Sequence, residues 1–137
     1  MHTTNYFNTF IEIAEDCPVS SADIPPQKGD EKTIATIQFE MIYDNPYKYT
    51  SDEIVFNVFA IKNKLSGSIV KTEREAFFSK GQPCLRSSPL AKRYGWGIHF
   101  NNEGKVAIYA AESNEYYKLV QDKTTKHIKA MRSTKKI

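Results

Sequence analysis

The segment Gly97–Ala111, GIHFNNEGKVAIYAA, restricts the fold of this chain more than any other feature. Two runs rich in apolar residues flank the sequence Asn-Asn-Glu-Gly, whose residues are typical of a hairpin turn. Gly104 can adopt the positive φ that such a turn requires. The pattern therefore predicts two antiparallel strands, and it argues against a sheet built only by alternating strands and helices.

The rest of the chain shows mostly helical periodicity. Alternating apolar residues predict a strand over Tyr6–Glu15, and apolar residues at helical spacing predict a helix over Lys32–Tyr43. Thr50 and Glu53 match a capping box, which favours a helix over Ile54–Ile61, although the β-branched and aromatic residues there are also typical of a buried strand. The shorter predicted elements are helices over Glu73–Ser79 and Pro89–Tyr94, a helix capped by Ser113, and an edge strand over His127–Met131.

This order of elements predicts an α+β fold with a mostly antiparallel sheet of about four strands and helices packed on one face. A length of 137 residues, 40% of them hydrophobic, predicts a single domain over residues 1–137 with a usable core. No apolar run reaches the ~18 residues of a membrane-spanning helix, so no membrane partner is expected.

The N-terminus and the cysteines indicate the compartment. The first residues lack the basic region of a secretory signal peptide. Cys17 and Cys84 form no CxxC pair, and we interpret both as reduced thiols in a cytoplasmic protein, with a disulfide between them as the alternative. His2, His99 and His127 show no spacing typical of metal ligands, so no metal is predicted, and no cofactor is expected because no cofactor motif occurs.

Charge is distributed unevenly along the chain. The net charge is +3, yet residues 118–137 carry seven Lys/Arg and one acid, whereas residues 1–117 carry twelve Lys/Arg and fifteen acids. No aromatic residue follows Tyr117 to stack on bases, so this basic C-terminal segment predicts at most weak, non-specific and salt-sensitive binding of nucleic acid. The alternative interpretation is a solvated basic face.

A second basic window, Ala76–Asn102, contains no acid and includes the candidate ligand site. Ser88-Pro89 matches an N-cap followed by proline at the first helical position, and a helix N-terminus attracts anions. Arg86 precedes this helix start and can bind a carboxylate or phosphate through two parallel hydrogen bonds. The predicted ligand-binding residues are Arg86, Ser87, Ser88, Lys92, Arg93 and Trp96.

The same residues also have ordinary structural interpretations. Ser88 can simply cap its helix, and Arg86 can pair with a surface acid such as Glu73 or Glu75. Trp96 can be a core residue whose indole N–H reaches a carbonyl. The sequence leaves both sets of interpretations open.

Cys84 and His99 are the candidate catalytic residues. A thiol among cations and near a helix start is more reactive than a free thiol, and His99 is a possible base for it. Such a pair requires the two side chains within hydrogen-bond distance and a third group to orient them, which fifteen residues of separation do not show. The alternative is that Cys84 packs in the interior, as free cysteines commonly do.

Three stretches carry a resemblance to a known family: NTFIEIAEDCP, NPYKYTSDEIVF and PCLRSSPLAKRYGWGIHFNNEGKVAIY. Over nearly the whole chain they resemble a family of small uncharacterised bacterial proteins, which is known only as a domain of unknown function. The most specific part runs from Arg86–Pro89 to Gly95–Gly97. The resemblance implies one intact domain and brings no activity, cofactor or catalytic residue with it.

Taken together, these patterns favour a non-catalytic cytoplasmic domain that binds a small anionic molecule at Arg86–Trp96. A small enzyme that uses Cys84 or His99 is the first alternative, and a protein-interaction module is the second. The sequence predicts no oligomeric state.

Overall fold

Four strands form one mixed sheet in the computed structural model, which describes residues 1–27 and 29–134. The sheet order is β3-β2-β1-β4, with β1 parallel to β4 and the other two pairs antiparallel. The predicted α+β class with a mostly antiparallel sheet of four strands is therefore confirmed. The strands are β1 (Thr9–Glu12), β2 (Trp96–Phe100), β3 (Val106–Ala110) and β4 (Lys126–Lys129).

Five helices and one 3-10 turn complete the described chain. Thr50 Oγ1 accepts a hydrogen bond from Glu53 N, and Thr50 N donates to a carboxylate oxygen of Glu53 at 3.0 Å. This capping box is formed as predicted, and the segment Ile54–Ile61 is a helix, not a strand. The helices are α1 (Ile34–Tyr43), α2 (Ser51–Lys62), α3 (Ile69–Phe77), α4 (Pro89–Lys92) and α5 (Asn114–Gln121), and the 3-10 turn is Leu85–Ser87.

Several predicted boundaries were wrong, most of all those of the first strand and the start of helix α3. The first strand is shorter than Tyr6–Glu15. Asn8 has a positive φ of 48°, which is not extended backbone, and the amide of Ala14 donates to the carbonyl of Ala91, which does not belong to a strand. Helix α3 begins four residues before Glu73, and its N-cap residue makes no side-chain hydrogen bond. No capping signal therefore marks that start in the sequence.

The main core lies on one face of the sheet. Ile11, Ile98 and Ile108 occupy matching positions on the three neighbouring strands β1, β2 and β3. They are almost fully buried and belong to one cluster with side chains of α1, α2 and α4, such as Ile42 and Leu90. Among the described residues, no helix is both long enough and apolar enough to cross a bilayer.

The opposite face of the sheet carries a row of aromatic side chains. Phe10 on β1 stands between His99 on β2 and His127 on β4. Helix α5 covers part of this face, where the rings of Phe10 and Tyr116 meet edge to face at 5.1 Å. Phe10 is fully buried as a result, so the sheet is packed on both sides at its centre.

The loop between α1 and α2 protects the outer edge of β3. Tyr47 N donates to the carbonyl of Val106, and Val106 N donates to the carbonyl of Tyr49, each at 2.9 Å. These bonds satisfy edge groups that would otherwise be free to pair with another chain. They also place the Tyr47 side chain beside the face that carries His99.

Gly97 allows Phe10 and Tyr116 to approach the sheet. A Cβ atom at position 97 would lie 2.6 Å from the Phe10 ring and 2.6 Å from the Tyr116 ring. Gly97→Ala should lower the free energy of unfolding by about 1–3 kcal/mol, because both rings are held in a packed interior. Urea unfolding of the two proteins measures the difference.

Gly81→Ala is the matched control for this substitution. A Cβ at position 81 would meet only the His2 ring nitrogen, at 3.9 Å, which is an ordinary contact. The control should leave stability nearly unchanged. Equal losses in the two variants would contradict the packing argument.

Candidate functional site

The predicted ligand segment is divided by the 3-10 turn. Leu85 is 1% exposed and anchors the turn in the core. Arg86 is directed to one side, where it lines a depression of about 410 Å³ that we call the basic cleft. Cys84, Ser87 and Ser88 line a second depression, on the side of α1 and α2. The basic cleft is lined by Glu15, Arg86, Lys129, Ala130, Met131, Arg132, Ser133 and Thr134.

Arg86 is held at the basic cleft by two hydrogen bonds to the chain around β4. Its carbonyl accepts from Met131 N at 2.9 Å, and its Nε donates to the carbonyl of Lys129 at 2.7 Å. Neither terminal nitrogen of the guanidinium donates a hydrogen bond to another described residue, so these donors are available to a further partner. Arg86 thus presents an oriented, exposed cation next to Lys129 and Arg132.

Asp16 fixes the segment that closes the basic cleft. Its carboxylate accepts from Ser133 N and Thr134 N, both at 3.0 Å, and from Thr134 Oγ1 at 3.0 Å. The backbone hydrogen bond from Thr134 is the largest of the effects that hold the pKa of Asp16 below its usual value. Asp16 is therefore ionised near neutrality and keeps residues 133 and 134 in place.

The cations of the basic cleft have no acidic partner in the described chain. Within residues 1–27 and 29–134, neither Arg86, Lys129 nor Arg132 forms an ion pair. Arg86 contacts a carbonyl group instead of Glu73 or Glu75. The three cationic side chains outnumber the two nearby carboxylates, those of Glu15 and Asp16. The cleft therefore has an excess of positive charge.

Ser88 caps α4 inside the protein. Its Oγ accepts from Leu90 N at 3.2 Å and donates to Gln38 Oε1 at 2.5 Å, and the residue is 3% exposed. The neighbouring Ser87 donates its hydroxyl to the carbonyl of Cys84 at 2.8 Å. Both hydroxyls are thus engaged by partners within the protein.

The remaining predicted ligand residues lie away from Arg86. Trp96 is 7% exposed, donates its indole N–H to the carbonyl of Asp23 at 2.8 Å, and packs against Phe39. Arg93 lines a separate depression beside α1, and Lys92 ends α4. The structure therefore does not bring the six predicted residues together in one site.

Cys84 and His99 lie on opposite sides of the sheet. The Cys84 thiol is 3.2 Å from the hydroxyl of Tyr6, whose ring packs on Phe100 on the core face. Burial raises the pKa of Tyr6 to about 12, and the hydrogen bond with Cys84 adds to the effect. His99 faces the other way, so the two candidate catalytic residues do not form a pair.

His99 belongs to a hydrogen-bonded group that sequence reasoning missed. The hydroxyl of Tyr47 is 2.8 Å from His99 Nδ1 and 2.8 Å from the hydroxyl of Tyr109. Burial lowers the pKa of His99, and the nearby charge of Asp122 acts against it. Tyr47 lies in a loop and has a φ of 59°, and this backbone conformation directs its side chain to the face with His99. No sequence pattern predicts such a contact.

The family of this chain is shown by a family model described as Family of unknown function (DUF6157), which matches residues 1–136. The chain belongs to this family. No curated protein and no solved structure matches the chain. The resemblance to a small domain of unknown function is confirmed, and membership in DUF6157 assigns no role to any residue.

The buried position of His99 predicts a pH-dependent stability. Because folding lowers the pKa of His99, the unfolded chain binds more protons once the pH falls below the ordinary histidine value of about 6.5. The free energy of unfolding should therefore decrease as the pH falls from about 7.5 to about 5.5. His99→Gln should lose less stability over the same interval. Urea unfolding at the two pH values measures this, and equal losses in both proteins would contradict it.

Proposed function

We propose that this protein binds a small anionic molecule in the basic cleft, through Arg86, Lys129 and Arg132. The observation that supports the proposal is the convergence of these three cations, from two distant parts of the chain, on one depression without an acidic partner among the described residues. The proposal retains Arg86 from the segment singled out in the sequence. It replaces Ser87, Ser88 and Trp96, which are occupied elsewhere, with residues of the basic C-terminal segment.

The geometry favours a phosphate or carboxylate group on the ligand. A guanidinium presents parallel N–H donors that match two oxygens of such a group, and the bond from Arg86 Nε to the carbonyl of Lys129 already fixes the plane of this guanidinium. The volume of about 410 Å³ lies within the range of small-molecule sites. The hydroxyl of Ser133 at the cleft can contact a polar group on the rest of the ligand.

The role proposed here is binding without catalysis. Cys84 and His99 stand on opposite faces of the sheet, so an enzyme would have to use one of them alone. We further propose that the protein works in the bacterial cytoplasm, as a single domain over residues 1–137. Two free thiols, Cys17 and Cys84, are consistent with a reducing compartment.

Sulfate or phosphate should stabilise the protein beyond the general effect of salt. Binding to the folded state alone adds about 1.4 kcal/mol at roughly ten times Kd, which corresponds to a Tm increase of roughly 3–6 °C. Arg132→Ala should remove most of this increase, because it deletes one of the three converging cations. Thermal unfolding in sodium sulfate and in sodium chloride of equal ionic strength measures the specific part.

Arg93→Ala is the matched control for the anion experiment. Arg93 is an exposed arginine of the predicted segment that lies outside the basic cleft. Its substitution should preserve the sulfate-specific increase in Tm. A loss of that increase in Arg93→Ala but not in Arg132→Ala would move the anion site to the original segment. The same increase in chloride as in sulfate would refute anion binding.

Nucleic acid should bind weakly and only at low salt. The exposed residues Lys123 and Lys126 precede the basic cleft, while residues 135–137 of the basic segment lie outside the described chain. On single-stranded nucleic acid, Lys123→Ala/Lys126→Ala should reduce the steepness of log affinity against log salt by about 0.7 for each phosphate that the double variant no longer neutralises. Fluorescence anisotropy with a labelled single-stranded oligonucleotide measures it. Tight, sequence-selective binding at physiological salt would show that nucleic acid is the preferred anion.

A further inference from the structure

The depression on the other side of the 3-10 turn has a different chemistry from the basic cleft. It has a volume of about 300 Å³ and lies between α1, α2, the end of α3 and the segment 82–89. Most of its wall is apolar, and no charged side chain of the described chain lines it. We call it the Gln38 pocket; its lining residues are Ile34, Gln38, Val55, Val58, Phe77, Gln82, Pro83, Cys84, Leu85, Ser87, Ser88 and Pro89.

Gln38 has an unused donor at this pocket. The Ser88 hydroxyl already accepts from Leu90 N, so its hydrogen goes to Gln38 Oε1 at 2.5 Å. That bond fixes which end of the amide faces Ser88 and directs Nε2 away from it. The Nε2 group donates to no acceptor among the described residues, although Gln38 is 6% exposed and lines the pocket.

The other side-chain donors of the pocket are engaged. Gln82 Nε2 donates to the carbonyl of Phe77 at 2.8 Å, and Ser87 Oγ donates to the carbonyl of Cys84 at 2.8 Å. The Cys84 thiol is hydrogen-bonded with Tyr6. No fully buried side-chain nitrogen or oxygen of the described residues lacks a partner, so Nε2 is accessible from the pocket, where it is an unengaged donor on a mostly apolar wall.

We propose that the Gln38 pocket binds a small uncharged molecule with an apolar body and one acceptor oxygen, and that Gln38 Nε2 donates to this oxygen. A charged ligand is disfavoured, because an apolar wall without a counter-charge makes the burial of a charge costly. A carbonyl group supplies the acceptor, and a single ring or a short branched chain fills the space between Val55, Phe77 and Leu85. This ligand differs in class from the anion of the basic cleft, and the two inferences stand independently.

Two probes of equal shape test this chemistry. Acetophenone carries an apolar ring and a carbonyl oxygen, and α-methylstyrene replaces the carbonyl by a methylene group that accepts no hydrogen bond. Acetophenone should bind roughly two- to tenfold more tightly, which is the usual net effect of one hydrogen bond between groups that water can also reach. Titrations followed by ¹⁵N–¹H NMR should show the side-chain amide of Gln38 shifting with acetophenone.

Variants of the two glutamines locate the donor. Gln38→Met keeps the size of the side chain and removes the free N–H groups, so it should bind both probes equally. Gln82→Met is the matched control, because the amide of Gln82 lines the same pocket but already donates to Phe77. It should preserve the preference for acetophenone.

The two cysteines supply a readout that needs no variant. Cys84 lines the Gln38 pocket, whereas the half-buried Cys17 lies outside it. Acetophenone should slow alkylation of Cys84 by iodoacetamide and leave Cys17 unaffected, even if Gln38→Met fails to fold. The proposal is overturned if neither probe binds, if both bind the wild type equally, or if Gln82→Met and not Gln38→Met abolishes the preference.

Discussion

The pairing of β1 with β4 is the constraint on which the rest of the structure depends. Phe10 on β1 is enclosed by strands and by a helix that come from the C-terminal part of the chain. The parallel register continues beyond the strands, where Ala130 N donates to the carbonyl of Glu12 at 2.8 Å. This continuation carries Met131 to the carbonyl of Arg86 and Ser133 to the carboxylate of Asp16. Without it the basic cleft would have neither its wall nor two of its three cations.

Local sequence patterns predicted the elements well because their causes are local. The capping box at Thr50 and Glu53 outweighed the β propensity of the residues that follow, and the hairpin formed around Gly104, whose φ is 79°. The sequence left Trp96 open as either a ligand-binding or a core residue. In the structure it is a core residue whose indole N–H donates to the carbonyl of Asp23. In each case the deciding groups lie within a few residues or obey a general rule of burial.

The grouping of functional side chains was much less predictable. The sequence placed Arg86 with Ser87 and Ser88 because they are neighbours in the chain, yet a tight turn sends adjacent side chains in different directions. The partners that Arg86 acquires, Lys129 and Arg132, follow from strand pairing over more than forty residues. The free amide of Gln38 likewise depends on a hydrogen bond with a serine that lies fifty residues away. Such contacts have no signature in a single sequence.

The strand order has a consequence for how the chain is made. Residues 9–12 leave the ribosome before both of their hydrogen-bonding partners, β2 and β4, and β4 is the last element of the described chain. Until β4 emerges, one edge of the central strand stays open, and its apolar residues Phe10 and Ile11 lack part of their cover. Pairing between such distant segments makes folding slow and leaves the intermediate prone to association. We therefore expect β1 to stay incompletely paired until β4 has been synthesised and has folded beside it.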